Sequence, residues 1–123
     1  MQFDNNVPIY IQIIEELKID IISGNIESGE RLLSVRELAM KLKVNPNTMQ
    51  RALSALEEMG LIYTERTNGK FVTEDKLLIE KYRKEYAEEL TKKYLENMRK
   101  IGFDKALAAD CITKFEGDVG WNC

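Results

Sequence analysis

From Ile9 onward an aliphatic residue returns at every fourth position, Ile9, Ile13, Leu17 and Ile21, until Gly24. That spacing predicts a first amphipathic helix. Pro8 suits its first turn, where a missing N–H costs no intrahelical bond. A polar loop from Asn25 to Glu30 leads to Ser34-Val35-Arg36-Glu37, which has the form of a capping box. In such a box the serine hydroxyl covers the Glu37 amide while the glutamate reaches back. A short second helix follows, with Val35, Leu38, Ala39 and Leu42 inward and Arg36, Glu37, Met40 and Lys41 outward. Lys43-Val44-Asn45-Pro46 breaks the pattern: Val44 can plug the core, Asn45 can cap, and Pro46 can occupy a first helical position. A third helix carries Met49, Ala52, Leu53 and Leu56 on one side, with Gly60 as its left-handed stop.

Two short helices joined by about four residues form a helix-turn-helix plan. Behind it, Leu61-Ile62-Tyr63-Thr64 and Lys70-Phe71-Val72-Thr73 are strand-like and flank Asn68-Gly69, the signal for a two-residue hairpin turn. Helix-turn-helix followed by a hairpin is a winged helix. From Lys76 the chain becomes a charged helical run to Ile101, with Leu78, Tyr82, Tyr86, Leu90, Tyr94 and Met98 spaced by four. Such a rod is roughly 37 Å long. It overhangs its own small domain, so its apolar stripe calls for a partner, and the six stripe residues become candidates for dimerisation. Gly102 stops the rod. Asp104 can then cap a last helix with Leu107, Ala108, Cys111, Ile112 and Phe115 on one side. The expected fold class is mainly α with a small β-hairpin: an N-terminal winged helix-turn-helix over 1–75, a two-helix C-terminal dimerisation segment over 76–116, and a flexible tail over 117–123.

Composition narrows the chemistry. At 44% hydrophobic and 32% charged, the 123 residues should fold rather than stay disordered. The chain has no histidine, which removes histidine-based nucleophile systems and every metal site that needs imidazole. No enzyme constellation stands out, and neither cofactor nor metal is expected. Cys111 and Cys123 form no CxxC pair and no dense disulfide framework, which fits a reducing cytoplasm. No apolar run approaches the length of a membrane span, and the N-terminus does not read as a leader. The net charge of −3 argues against a globally basic nucleic-acid binder. An average can hide a patch: the net charge is −5 over residues 1–30, +2 over residues 31–76 and zero over residues 77–123. The only basic segment is the one that holds the helix-turn-helix.

That segment also carries the chemistry. The outer face of the third helix offers Asn47, Gln50, Arg51 and Ser54. Asn and Gln pair bidentately with adenine, and Arg with guanine or phosphate. Ser34, Arg36 and the first amides of the second helix suit a backbone phosphate. The hairpin tip, from Arg66 to Lys70, can reach a neighbouring groove or phosphate. Taken singly, each feature has a bland alternative: a helix start, a solvated face, a tight turn. Their order and spacing weigh against that. The four-spaced tyrosines read as packing residues with hydrated hydroxyls, and Cys111 as a small core residue.

At these residues the chain becomes recognisable. Val7-Pro8-Ile9-Tyr10-Ile11-Gln12-Ile13, Gly29-Glu30-Arg31-Leu32, Ser34-Val35-Arg36-Glu37-Leu38-Ala39, the stretch from Val44 to Ala52, and Gly60-Leu61-Ile62 resemble the N-terminal winged-helix domain of the GntR family of bacterial transcription regulators. The resemblance covers about residues 7–73. Leu32-Leu33-Ser34 stands where the family usually has Leu-Pro-Ser, and Thr67-Asn68-Gly69-Lys70-Phe71-Val72 where its wing usually reads Gly-x-Gly-Thr-Phe-Val. It implies DNA contacts from Ser34, Arg36, Asn45, Asn47, Thr48, Gln50, Arg51 and Gly69. Pro46 occupies a position where some relatives use a basic residue, so base reading shifts toward Asn47 and Gln50. The 47 residues from 77 to 123 are too few for a separate ligand-binding domain of ordinary size, which resembles the short YtrA-type subfamily with its two dimerising C-terminal helices. The expectation is therefore a cytoplasmic, homodimeric, sequence-specific regulator of double-stranded DNA, a repressor at a near-palindromic operator. A small-molecule effector lodged between the long helices stays open, with no residue pattern that identifies it. The rival reading is a winged helix used for protein recognition.

Overall fold

The computed structural model describes residues 2–117. Cys123 and all of the expected tail beyond Gly117 lie outside the described residues. In chain order the elements are α1 (Ile9–Ser23), α2 (Val35–Leu42), α3 (Pro46–Glu58), β1 (Ile62–Glu65), β2 (Gly69–Val72), α4 (Lys76–Lys100) and α5 (Lys105–Lys114). Among the described residues no helix is long and apolar enough to cross a membrane.

Pro8 precedes α1 as its N-cap, one position earlier than the expected first turn, and its carbonyl accepts from the Ile11 and Gln12 amides. Gly24, at φ 85°, ends the helix. Ile13, Leu17, Ile21 and Ile22 are buried, whereas Ile9 is 43% exposed. A strict four-residue repeat drifts about 40° per step on a helix of 3.6 residues per turn, so one end of the stripe leaves the core while Ile22 joins it.

The capping box of α2 forms as expected: the Glu37 amide donates to Ser34 Oγ and the Ser34 amide to Glu37 Oε1, both at 3.1 Å. At the other end Lys43 adopts φ 57°, the only non-glycine among the described residues with positive φ. The Val44 amide reaches back to the Ala39 carbonyl and the Lys43 amide to Met40, the paired bonds that close a helix through a left-handed residue. Asn45 caps α3 through the Asn47 amide at 2.7 Å, with Pro46 opening the helix. Gly60, at φ 79°, closes it: the Leu61 amide bonds Leu56 and the Gly60 amide bonds Glu57. The core is one cluster. Met49, Ala52, Leu53 and Leu56 are fully buried beneath Ile13, Leu17 and Ile21 of α1 and Leu38 and Ala39 of α2, with Leu61, Ile62 and Val72 completing it.

The hairpin differs from its expected turn. Ile62 pairs with Val72, Tyr63 with Phe71, Thr64 with Lys70 and Glu65 with Gly69, which leaves a three-residue loop, Arg66-Thr67-Asn68. A two-residue Asn-Gly turn needs positive φ at both residues, and only Gly69 supplies it, at 99°. The Asn68 amide instead bonds the Glu65 carbonyl, and Asn68 Nδ2 bonds the Glu65 carboxylate at 2.9 Å. The expected polar loop from Asn25 to Glu30 is non-helical as read, and the residues at its end pair with β2. Leu32 donates to Lys70 at 2.8 Å and Val72 to Glu30 at 2.9 Å, with Arg31 bridging Phe71.

Packing divides the chain into two compact units between Arg83 and Lys84, inside α4. The division falls about two turns past the start of α4 because Ile79 and Tyr82 pack on the winged-helix core. Tyr82 Oη also donates to the Met59 carbonyl at 3.0 Å. In the second unit Asp104 caps α5 through the Leu107 amide, and Tyr94 Oη donates to the Ala108 carbonyl at 2.8 Å. Tyr82 and Tyr94 thus spend their hydroxyls on backbone carbonyls rather than on water. Ala108 is buried, but Leu107, Cys111, Ile112 and Phe115 on the same helix and its end are exposed. Cys111 is not the core residue its spacing suggests.

Candidate nucleic-acid interface

Helix α3 has two chemically distinct sides. Its apolar residues are fully buried, which fixes the helix by rotation and turns Asn47, Gln50 and Arg51 outward, all three exposed, with Ser54 half-buried beside them. Gln50 Nε2 donates to Ser54 Oγ one turn further on, at 3.1 Å. That bond orders the amide while its carbonyl oxygen and second N–H stay available. Asn45 is exposed but its side-chain oxygen is engaged by the Asn47 amide. Thr48 is half-buried at the first turn. Arg51 is engaged as well: its guanidinium carbon lies 3.7 Å from the centroid of the Tyr10 ring on α1.

At the start of α2, Ser34 and Arg36 are exposed. Ser34 Oγ accepts the capping bond from the Glu37 amide, and its hydroxyl also faces the Glu37 carboxylate. Glu37 is held below the ordinary carboxylate range by the Ser34 backbone bond first, then by the Ser34 hydroxyl, with a smaller contribution from the nearby Arg31 charge. Between this helix end and the hairpin runs an open groove of about 560 Å³ whose lining includes Arg31, Ser34, Arg66, Gly69 and Lys70. The structure therefore brings Ser34 and Gly69 to one groove. Arg36, the α3 side chains and Asn45 lie outside its lining.

Three features escaped the sequence. Arg31 covers Gly69: a Cβ added to this glycine would meet the guanidinium at 3.5 to 4.0 Å. Lys70 lies 3.7 Å from Glu57 Oε2 and donates to Thr64 Oγ1 at 2.8 Å, while Thr64 donates to Glu57 Oε1 at 2.6 Å. This triad ties both hairpin strands to the end of α3. Its members are scattered in sequence and meet only because the hairpin folds back. Tyr10 sits among the apolar residues of α1, and nothing in its spacing marks it as a partner of Arg51.

Comparison with known proteins gives a consistent picture. The model of the bacterial regulatory proteins, gntR family, matches residues 9–72. The chain is 32% identical to the HTH-type transcriptional regulator YhcF of Bacillus subtilis (strain 168), over 93% of this chain and 94% of that protein. It is 41% identical to the HTH-type transcriptional repressor YtrA of the same organism, over 58% of this chain and 55% of that protein. In structure it is similar to a GntR family transcriptional regulator from Listeria monocytogenes, with TM-score 0.86, 46% identity, and coverage of 93% of this chain and 100% of the other. AraR(DBD) in complex with operator ORR3 matches 59% of this chain and 88% of its own, with TM-score 0.53 and 27% identity.

Proposed function

Since the chain belongs to the GntR family of bacterial regulatory proteins, we propose that it is a cytoplasmic transcriptional repressor that reads a near-palindromic operator as a homodimer. The observation that carries this reading is the two-sidedness of α3: four side chains fully buried, and Asn47, Gln50 and Arg51 exposed opposite them. In this reading α3 enters the major groove, where Asn47 and Gln50 contact base edges and Arg51 a base or phosphate. Ser34, Arg36, Asn45, Thr48 and Gly69 position the backbone, so they set register rather than sequence. Residues 1–75 act as the DNA-binding part. Residues 76–116 pair with a second copy, through Leu78, Tyr86, Leu90, Tyr94 and Met98 of the stripe and the apolar surface of α5, while Tyr82 braces the start of the rod on the chain's own core. Leu90 is 51% exposed and Ile112 63%, apolar area that a twin subunit would remove from water. The name of the YtrA relative supports repression, and the operator complex of the AraR domain supports DNA as the ligand.

Selection of duplexes from a randomised library by the full chain tests the function. The expected outcome is enrichment of a two-fold symmetric sequence with half-sites about 34 Å apart or a multiple of that. Recovery of no preferred sequence overturns sequence-specific reading. Sedimentation equilibrium addresses assembly: twice the chain mass at micromolar concentration is expected, and a monomer there overturns the dimer. A reporter placed behind the selected sequence should fall when the protein is expressed.

A further inference from the structure

The contact between Arg51 and Tyr10 joins two elements that sequence alone keeps apart. Arg51 lies one turn after Asn47, on the exposed side of α3. Its guanidinium carbon rests 3.7 Å from the ring centroid of Tyr10, and among the described residues it forms no ion pair. Tyr10 is the second residue of α1. It is half-buried, packed against the core cluster. The start of α1 is itself pinned. Gln12 accepts from the Asp4 amide at 2.7 Å and donates to the Asp4 carbonyl at 2.7 Å and the Val7 carbonyl at 2.8 Å. The ring is therefore part of a fixed surface, and the exposed arginine is the member with the longer chain of rotatable bonds.

We propose that Tyr10 is a positioning residue for DNA recognition, holding the Arg51 guanidinium so that its donors face a backbone phosphate or a guanine. The inference rests on the DNA-contacting reading of Arg51 given above. A guanidinium carries its five N–H donors around the edge of a plane. An aromatic face that covers the plane leaves that edge open and attracts the charge through the ring quadrupole. Without the ring, the long side chain samples many rotamers, and binding must order them. With it, the ordering precedes the encounter. The tyrosine hydroxyl plays no part in this account, since the attraction comes from the ring face.

The test is a double-mutant cycle on a duplex selected by the parent protein, with the unselected library as the comparison. Tyr10→Leu should weaken binding to the selected duplex by up to about tenfold, the upper range of the cost of ordering one long side chain on binding. Tyr10→Phe should stay within about twofold, because it keeps the ring. In an Arg51→Ala background, Tyr10→Leu should add no further loss. Thermal unfolding guards against a folding defect, and Tyr10→Met, which fills the site without a ring, replaces Tyr10→Leu if that variant unfolds. The free protein provides a signature of its own: the Arg51 side-chain protons should be shifted upfield by the ring in the parent and in Tyr10→Phe, and return to ordinary positions in Tyr10→Met. An undiminished loss in the Arg51→Ala background overturns the positioning role. Arg51→Ala binding as tightly as the parent overturns the contact reading of Arg51 and the inference with it. Failure to enrich any duplex strikes the proposed function itself.

Discussion

Helices α3 and α5 carry the same kind of apolar spacing, yet they fare differently. In α3, Met49, Ala52, Leu53 and Leu56 are all fully buried; in α5 only Ala108 is, while Leu107 and Ile112 are 48% and 63% exposed. The difference lies in what surrounds each. Helix α3 packs on α1, α2 and β1, and residues of α1, α2 and both strands share its core cluster. Helix α5 has the Tyr94 bond from α4 to the Ala108 carbonyl, and among the described residues of its unit Ala108 is the only buried one. Spacing announces that a helix has an oily side. It does not say whether the same chain covers it.

The contrast can be broken at several points. The largest expected effect is Leu53→Ala, which should destabilise the fold by about 2–5 kcal/mol in urea unfolding, at every protein concentration. Ile112→Asp should leave that unfolding of the winged helix nearly unchanged and instead raise the concentration at which the proposed dimer dissociates in sedimentation equilibrium. Equal sensitivity of the two sites to concentration would erase the distinction between a core sealed within the chain and a surface covered from outside.

The outward side of α3 comes next in magnitude. Gln50→Ala should cost about 1–3 kcal/mol on the selected duplex and little on random DNA, while Arg36→Ala should weaken both and lower the salt slope by about one. Titrations at several salt concentrations separate the two, and equal losses for Gln50→Ala on both DNAs would argue against base reading.

Capping effects are smaller. Ser34→Ala should cost about 1 kcal/mol of stability, measured by chemical denaturation. Glu37 adds a pH dependence: its folded pKa is lowered from the ordinary 4.5. Its contribution is therefore full above that value and fades as pH falls through the lowered folded value. Removal of the Ser34 hydroxyl should reduce this acid limb of the stability profile without abolishing it, because the Ser34 backbone bond, the larger cause, remains. Smallest of all, Lys43→Gly should stabilise by roughly 0.5–1 kcal/mol, because a left-handed φ strains a residue with a Cβ and not glycine. A loss of stability there would mean that the lysine side chain makes a contact worth more than the strain.

The hydrophobic period, the caps and the glycine stops were legible in the residues themselves. Ser34 and Glu37 form their box, Asn45 and Pro46 open α3, and Gly24, Gly60 and Gly102 take left-handed φ, because each of these depends on neighbours within one turn. The polar side of α3 was legible for the same reason, since burying one side of a helix orients the other. What depended on distant partners was not. The hairpin took a three-residue loop because Asn68 found Glu65, and the segment before α2 became a third strand-like rung because β2 had an edge to pair. Arg31 came to rest over Gly69, Lys70 joined Glu57, and Arg51 lay on Tyr10. Local chemistry settles where helices begin, end and turn their oily sides; which far-off side chains meet is settled only when the packed elements bring them within a few ångströms.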